Sequence, residues 1–97
     1  MEIVKQKEGN ILRVTLIGRL DTVTSVSVDA SLKEESGFTD IVFDFEKLEY
    51  LSSSGLRLLF AYRQKLGGKD HVIVEHINPV VAEILRVTGF EKQITLR

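Results

Sequence analysis

Two short apolar runs, DIVFDF at positions 40–45 and HVIVEHI at positions 71–77, bracket a stretch whose apolar residues recur every three or four positions. In SGLRLLFAYRQKLGG, Leu56, Leu59, Phe60 and Arg63 follow one helical line, and Leu58, Tyr62 and Leu66 follow another. Arg63 and Lys65 sit in the last turns, where a cation suits the helix dipole, and Gly67-Gly68 stops the helix. Strands that alternate with helices in this way point to an α/β fold with a mostly parallel sheet.

The rest of the chain extends the pattern. EIVKQKEGNILRVTLIG reads as two strands joined at Gly9-Asn10, with Val14, Leu16 and Gly18 alternating against Arg13, Thr15 and Ile17. This opening hairpin is antiparallel, so the sheet is expected to be mixed. GRLDTVTSVSVDASLKEESG predicts a helix over 24–35, with Asp21, Thr22 and Thr24 as candidate N-caps and Gly37 as the stop. Val23, Val26 and Ala30 are expected on its packed face, with Val28 and Leu32 beside them. DIVFDFEKL predicts a strand whose two apolar faces suggest cover by helices, with Phe43 and Phe45 on one face. NPVVAEILRVTG opens with Asn78 as N-cap and Pro79 at the first helical position and closes at Gly89, and KQITLR supplies a last short strand. The expected order is β-β-α-β-α-β-α-β. It makes one domain over 1–97, a mixed and mostly parallel sheet of four to five strands packed with about three helices.

Charge and composition narrow the function. With 13 basic against 14 acidic residues spread along the chain, no basic stripe neutralises phosphates, so nucleic acid is not an expected partner. The absence of cysteine excludes disulfide and thiolate chemistry and suits a reducing compartment. MEIVKQKEGN lacks the apolar core of a signal peptide, and no apolar run approaches the ~20 residues needed to span a bilayer, so a cytoplasmic protein without membrane insertion is expected. His71 and His76, five apart on one expected strand, face opposite sides and cannot share a metal; with carboxylates scattered, neither a metal site nor a cofactor is expected. A hydrolase elbow around Ser53 needs glycine on both sides; Gly55 is present but Leu51 occupies the upstream position. No Walker-type loop follows a strand. The chain reads as a binding domain with no catalytic residues.

The hydroxyl run in LSSSGLRLLF is then the feature with the most chemical content. Ser52, Ser53 and Ser54 stand on the turn into the clearest helix, where the first backbone amides lack intrahelical acceptors. One serine capping those amides accounts for part of the run. The same amides and the positive end of the dipole also favour a phosphoryl group, which adds a charge of about −1.5 to −2. A phosphate accommodated there leaves the fold intact yet repels a partner docked over it.

The strings GRLDTVT, DIVFDFEKLEYLSSSGLRLLFAYRQKLGG and NPVVAEILRVTGF closely resemble the STAS domain of bacterial anti-sigma factor antagonists over nearly the whole chain. The resemblance implies a partner-switching cycle. The unmodified antagonist binds an anti-sigma factor that is also a serine kinase, so a sigma factor is released; the kinase phosphorylates the antagonist, and a PP2C-type phosphatase resets it. The implied acceptor is Ser53, with Ser54 as a cap and Ser52 and Ser54 as secondary acceptor candidates. Asp21 and Thr22 are implied at the rim of the docking surface, though Asp21 reads equally as a turn or cap residue. Ser52, Ser54, Gly55, Leu56, Arg57, Leu58, Ala61 and Tyr62 complete that surface, Leu58 and Tyr62 reading alternatively as core. Two departures stand out: Ser52 occupies a position where many antagonists carry Asp, and the chain stops at Arg97 where many relatives carry another helix. A monomer or weak dimer is expected. The alternative is a constitutive scaffold or accessory subunit of a transporter or signalling complex, using the same helix without phosphorylation.

Overall fold

The fold is built around one long strand. In the computed structural model, which describes residues 1–97, β1 (Glu2–Glu8) turns through Gly9, at φ +61°, into β2 (Ile11–Leu20). β1 lies antiparallel to β2, from Glu2 opposite Ile17 to Glu8 opposite Ile11. The other edge of β2 serves two parallel partners: Ile11–Thr15 pairs with β3 (Asp40–Asp44), and Gly18–Leu20 pairs with β4 (Leu48–Leu51) after the register shifts between Gly18 and Arg19. β5 (Val72–Glu75) lies parallel to β3, and β6 (Thr95–Leu96) parallel to β5. The connections hold three helices, α1 (Thr22–Leu32), α2 (Ser53–Leu66) and α3 (Pro79–Val87).

The mixed, mostly parallel α/β architecture is as expected, with one strand more than the four to five anticipated. The segment read as a single strand over 40–48 ends at Asp44, whose side chain accepts the Glu46 amide at 3.1 Å and bends the chain out of the sheet. The chain re-enters at Leu48 as β4. α1 starts earlier than residue 24 because Asp21 caps it, and it ends at Leu32 with Lys33 as the C-cap. Its packed stripe is Ser25, Val28 and Leu32, at helical spacing, whereas Val23 and Val26 are 76% and 69% exposed and Ala30 is also exposed. His71 and His76 fall off opposite ends of β5, one in a short 3₁₀ turn (Lys69–His71), the other in the left-handed region at φ 55°.

All three helices cover one face of the sheet. Leu12, Val14 and Leu16 of β2, Ile41 and Phe43 of β3, and Val72 and Val74 of β5 form one cluster with Val28, Leu32, Leu59, Val81 and Leu85 from the helices. The alternate residues Val42 and Ile73 are buried outside that cluster. Their face, expected under helices, is instead crossed by ion pairs: Arg13 reaches Glu75 at 2.7 Å, and Arg97 reaches the same carboxylate at 3.3 Å. α3 is anchored by Asn78. Its side-chain oxygen accepts the Val81 amide at 2.9 Å, and its Nδ2 donates to the carbonyls of Phe45 and Leu48 at 3.0 and 2.7 Å. No helix is long and apolar enough to cross a membrane.

Candidate functional site

The path from β4 into α2 places the three serines in three different situations. The Ser52 amide donates to the Leu20 carbonyl at 2.9 Å, continuing the pairing with β2. Its backbone is extended (φ −84°, ψ 173°), and its hydroxyl oxygen accepts the Gly55 amide at 3.3 Å. Ser52 is therefore the N-cap of α2, the role assigned to Ser54 from the resemblance. Gly55 sits directly against the sheet, where an added Cβ would lie 2.6 Å from Leu51 Cδ1 and 3.0 Å from Leu20. This close approach requires glycine and fixes the first turn of α2 over the end of β2.

Ser54 points toward α1. Its Oγ accepts from Arg57 Nη2 at 3.0 Å and lies 3.3 Å from Thr22 Oγ1. Ser53, the first residue of α2, is exposed, and its hydroxyl takes part in none of these hydrogen bonds. Of three chemically identical side chains, one caps, one bridges two helices and one faces solvent.

Asp21 does the corresponding work for α1. Its Oδ1 accepts the Thr24 and Val23 amides at 3.0 and 3.1 Å, while the Asp21 amide donates to Thr24 Oγ1 at 2.8 Å, closing a capping box. The Thr24 amide, then its hydroxyl and the Val23 amide, hold the Asp21 carboxyl below the usual carboxylate range. The structure thus gives Asp21 the cap role among its alternatives.

The Thr22–Ser54 contact brings the first turns of two helices together, so the positive ends of two dipoles meet beside the serines. From there α1 and α2 flank an open groove of about 350 Å³. Thr22, Ser25, Val26 and Asp29 line one side, and Ser54, Arg57, Leu58 and Ala61 the other. Ser25 Oγ is buried there without a hydrogen-bond partner.

The remaining expected surface residues divide. Arg57 and Ala61 are exposed on α2. Leu58, at 7% exposure, and Tyr62, at 3%, pack into the core, Leu58 with an edge on the groove, and Gly55 is also buried. Leu56 is half-buried against the same core. Sequence reasoning missed the exposed Val23 and Val26, placing them inside α1. No local signal separates the two stripes: Ser25, Val28 and Leu32 repeat at the same helical spacing as Val23, Val26 and Ala30, and only the position of the sheet decides which is covered.

The carboxylates are less scattered than the sequence suggested. Asp44, Glu46 and His76 bring potential metal-ligating atoms within 4.8 Å of one another. Asp44 Oδ2 is 2.9 Å from His76 Nδ1, and its Oδ1 holds the Glu46 amide. His71 pairs separately with Asp40 at 2.7 Å.

This sheet, with three helices on one face and hydroxyls at the converging first turns, defines a small α/β domain whose distinctive surface is the start of α2. The STAS domain family matches residues 2–97, and the chain belongs to that family. It is 25% identical over 93 residues to a putative anti-sigma factor antagonist, BtrV of Bordetella bronchiseptica, the match covering 93% of this chain and 80% of that protein. The structure of the anti-sigma factor antagonist SpoIIAA in its unphosphorylated form gives a TM-score of 0.81 at 19% identity, covering 99% of this chain and 88% of that one. An anti-sigma factor antagonist from Mycobacterium paratuberculosis gives 0.77 at 24% identity, covering 98% and 83%. At these identities the two structures speak for the fold.

Proposed function

We propose that this chain is a cytoplasmic anti-sigma factor antagonist whose binding to an anti-sigma factor with serine kinase activity is gated by phosphorylation of Ser53. The observation that carries this reading is the division of labour among the serines. Ser52 and Ser54 are committed within the chain, and Ser53 alone presents a free, exposed hydroxyl. The surrounding relief suits a docking face, since Val23 and Val26 expose apolar surface beside the polar rim of Thr22, Ser54 and Arg57. The family and the antagonist named among the relatives favour the same reading.

The physical basis of the gate is electrostatic. Two helix N-termini accommodate a dianion at Ser53 without unfolding the domain. A partner seated over the same turn meets a new charge that it must desolvate, and a penalty of ~1.4 kcal/mol already weakens binding tenfold. A PP2C-type phosphatase would restore the hydroxyl.

The test is incubation with ATP and the serine-kinase anti-sigma factor encoded in the same genome, followed by intact-mass measurement and peptide mapping. One phosphoryl group on Ser53, and none on the Ser53→Ala chain, is the expected result. A chain that binds the kinase tightly and remains unmodified, or is modified elsewhere, contradicts it and leaves a constitutive scaffold as the alternative.

A further inference from the structure

Arg57 is the unclaimed cation of the site. Arg13, Arg86 and Arg97 each face a glutamate, whereas Arg57 meets only the Ser54 hydroxyl, at 3.0 Å. It stands four residues after Ser53 on α2, so the two share a helix face. Helical side chains lean back toward the N-terminus, which lays the Arg57 stem over the turn that carries the serines. The contact with Ser54 fixes the guanidinium at that level.

We infer that Arg57 is the internal counter-ion of a phosphoryl group on Ser53, exchanging the Ser54 hydroxyl for two phosphoryl oxygens. The inference rests on the reading of Ser53 as the modified residue and adds a residue to it. A planar guanidinium engages two phosphate oxygens at once, and a charge-assisted pair is stronger than the neutral contact it replaces. The exchange does more than neutralise charge. It draws the guanidinium away from the groove between α1 and α2 and releases the Ser54 hydroxyl, so modification reshapes the surface offered to a partner.

The experiment uses the full chain with phosphoserine genetically encoded at position 53, which requires no kinase. Its outcome is therefore independent of whether the cell ever modifies this serine. The second ionisation of the phosphate is followed by phosphorus NMR in the wild-type, Arg57→Met and Arg57→Lys backgrounds. A nearby cation favours the dianion, so the transition is expected about half a pH unit or more lower in the wild-type background than with Arg57→Met, with Arg57→Lys between them. The Arg57 Nε–H resonance is expected to move with the same titration. Coincident phosphate titrations with and without Arg57, or an Arg57 resonance that stays still, would overturn the inference.

Discussion

Thr22 Oγ1 lies 3.3 Å from Ser54 Oγ, and through this contact the first turn of α1 meets the first turn of α2. Each helix brings its own cap, Asp21 for α1 and Ser52 for α2. The hydroxyl bridge joins two already satisfied helix starts and leaves Ser53 beside it, facing solvent. Four residues from two distant parts of the chain thus set the character of one exposed hydroxyl.

Capping and exposure predict unequal stability effects for adjacent serines. Ser52→Ala removes the acceptor for the Gly55 amide and is expected to cost about 1 kcal/mol. Ser53→Ala is expected to stay within about 0.5 kcal/mol of wild type. Urea unfolding of both variants checks this; a larger loss at Ser53 than at Ser52 would reverse the assigned roles.

Gly55→Ala is expected to destabilise the domain by about 1–3 kcal/mol, because its Cβ would collide with Leu51 and Leu20 beneath the first turn of α2. Thermal unfolding measures the loss. A variant as stable as wild type would mean that α2 lifts off the sheet at no cost, and the position of Ser53 would then be poorly fixed.

Asn78 holds α3 to the loop between β3 and β4 through one accepted and several donated hydrogen bonds. Asn78→Asp keeps the capping oxygen but replaces the donor by a second oxygen facing main-chain carbonyls. It is expected to lose about 1–3 kcal/mol in urea unfolding, the cost of taking the side-chain donor from part-buried carbonyls and setting a charged oxygen against them. An unchanged midpoint would show that the cap alone matters.

Part of this architecture is legible in the residues. Asn78-Pro79 and Gly89 bracket α3, and the Gly9-Asn10 turn fixes the hairpin, because caps and turns are local chemistry. β4 was not legible. Four residues with Glu49 and Tyr50 exposed show no alternation, and they become a strand only because distant Gly18–Leu20 offers an edge. The faces of α1 were misread for a related reason: valines carry no record of which side the sheet lies on. In the candidate site, the exposed hydroxyl among the serines could be anticipated, but which serine caps could not. That depends on where β4 ends.

The pair His76–Asp44 predicts a pH signature. The hydrogen bond to Asp44 raises His76 above its ordinary value of about 6.5. Burial pushes Asp44 up, but the hydrogen bonds from His76 and from the Glu46 amide outweigh it and hold Asp44 below the usual range. The contribution of His76 to stability is therefore complete below about pH 6.5 and lost as pH rises through its raised folded value. That of Asp44 is lost as pH falls through its lowered one. Proton NMR should find His76 titrating above an ordinary histidine, with Asp44→Asn returning it to the ordinary range; an unmoved titration in that variant would exclude the pairing.

The central claim is that the charge at Ser53 decides partner binding. The most direct measurement is calorimetric titration of the serine-kinase anti-sigma factor from the same genome, without ATP turnover, into the unmodified chain and into the chain carrying phosphoserine at position 53. At least tenfold weaker binding of the phosphorylated chain, with its fold unchanged, is the predicted result. Equal affinity of the two chains would contradict the account.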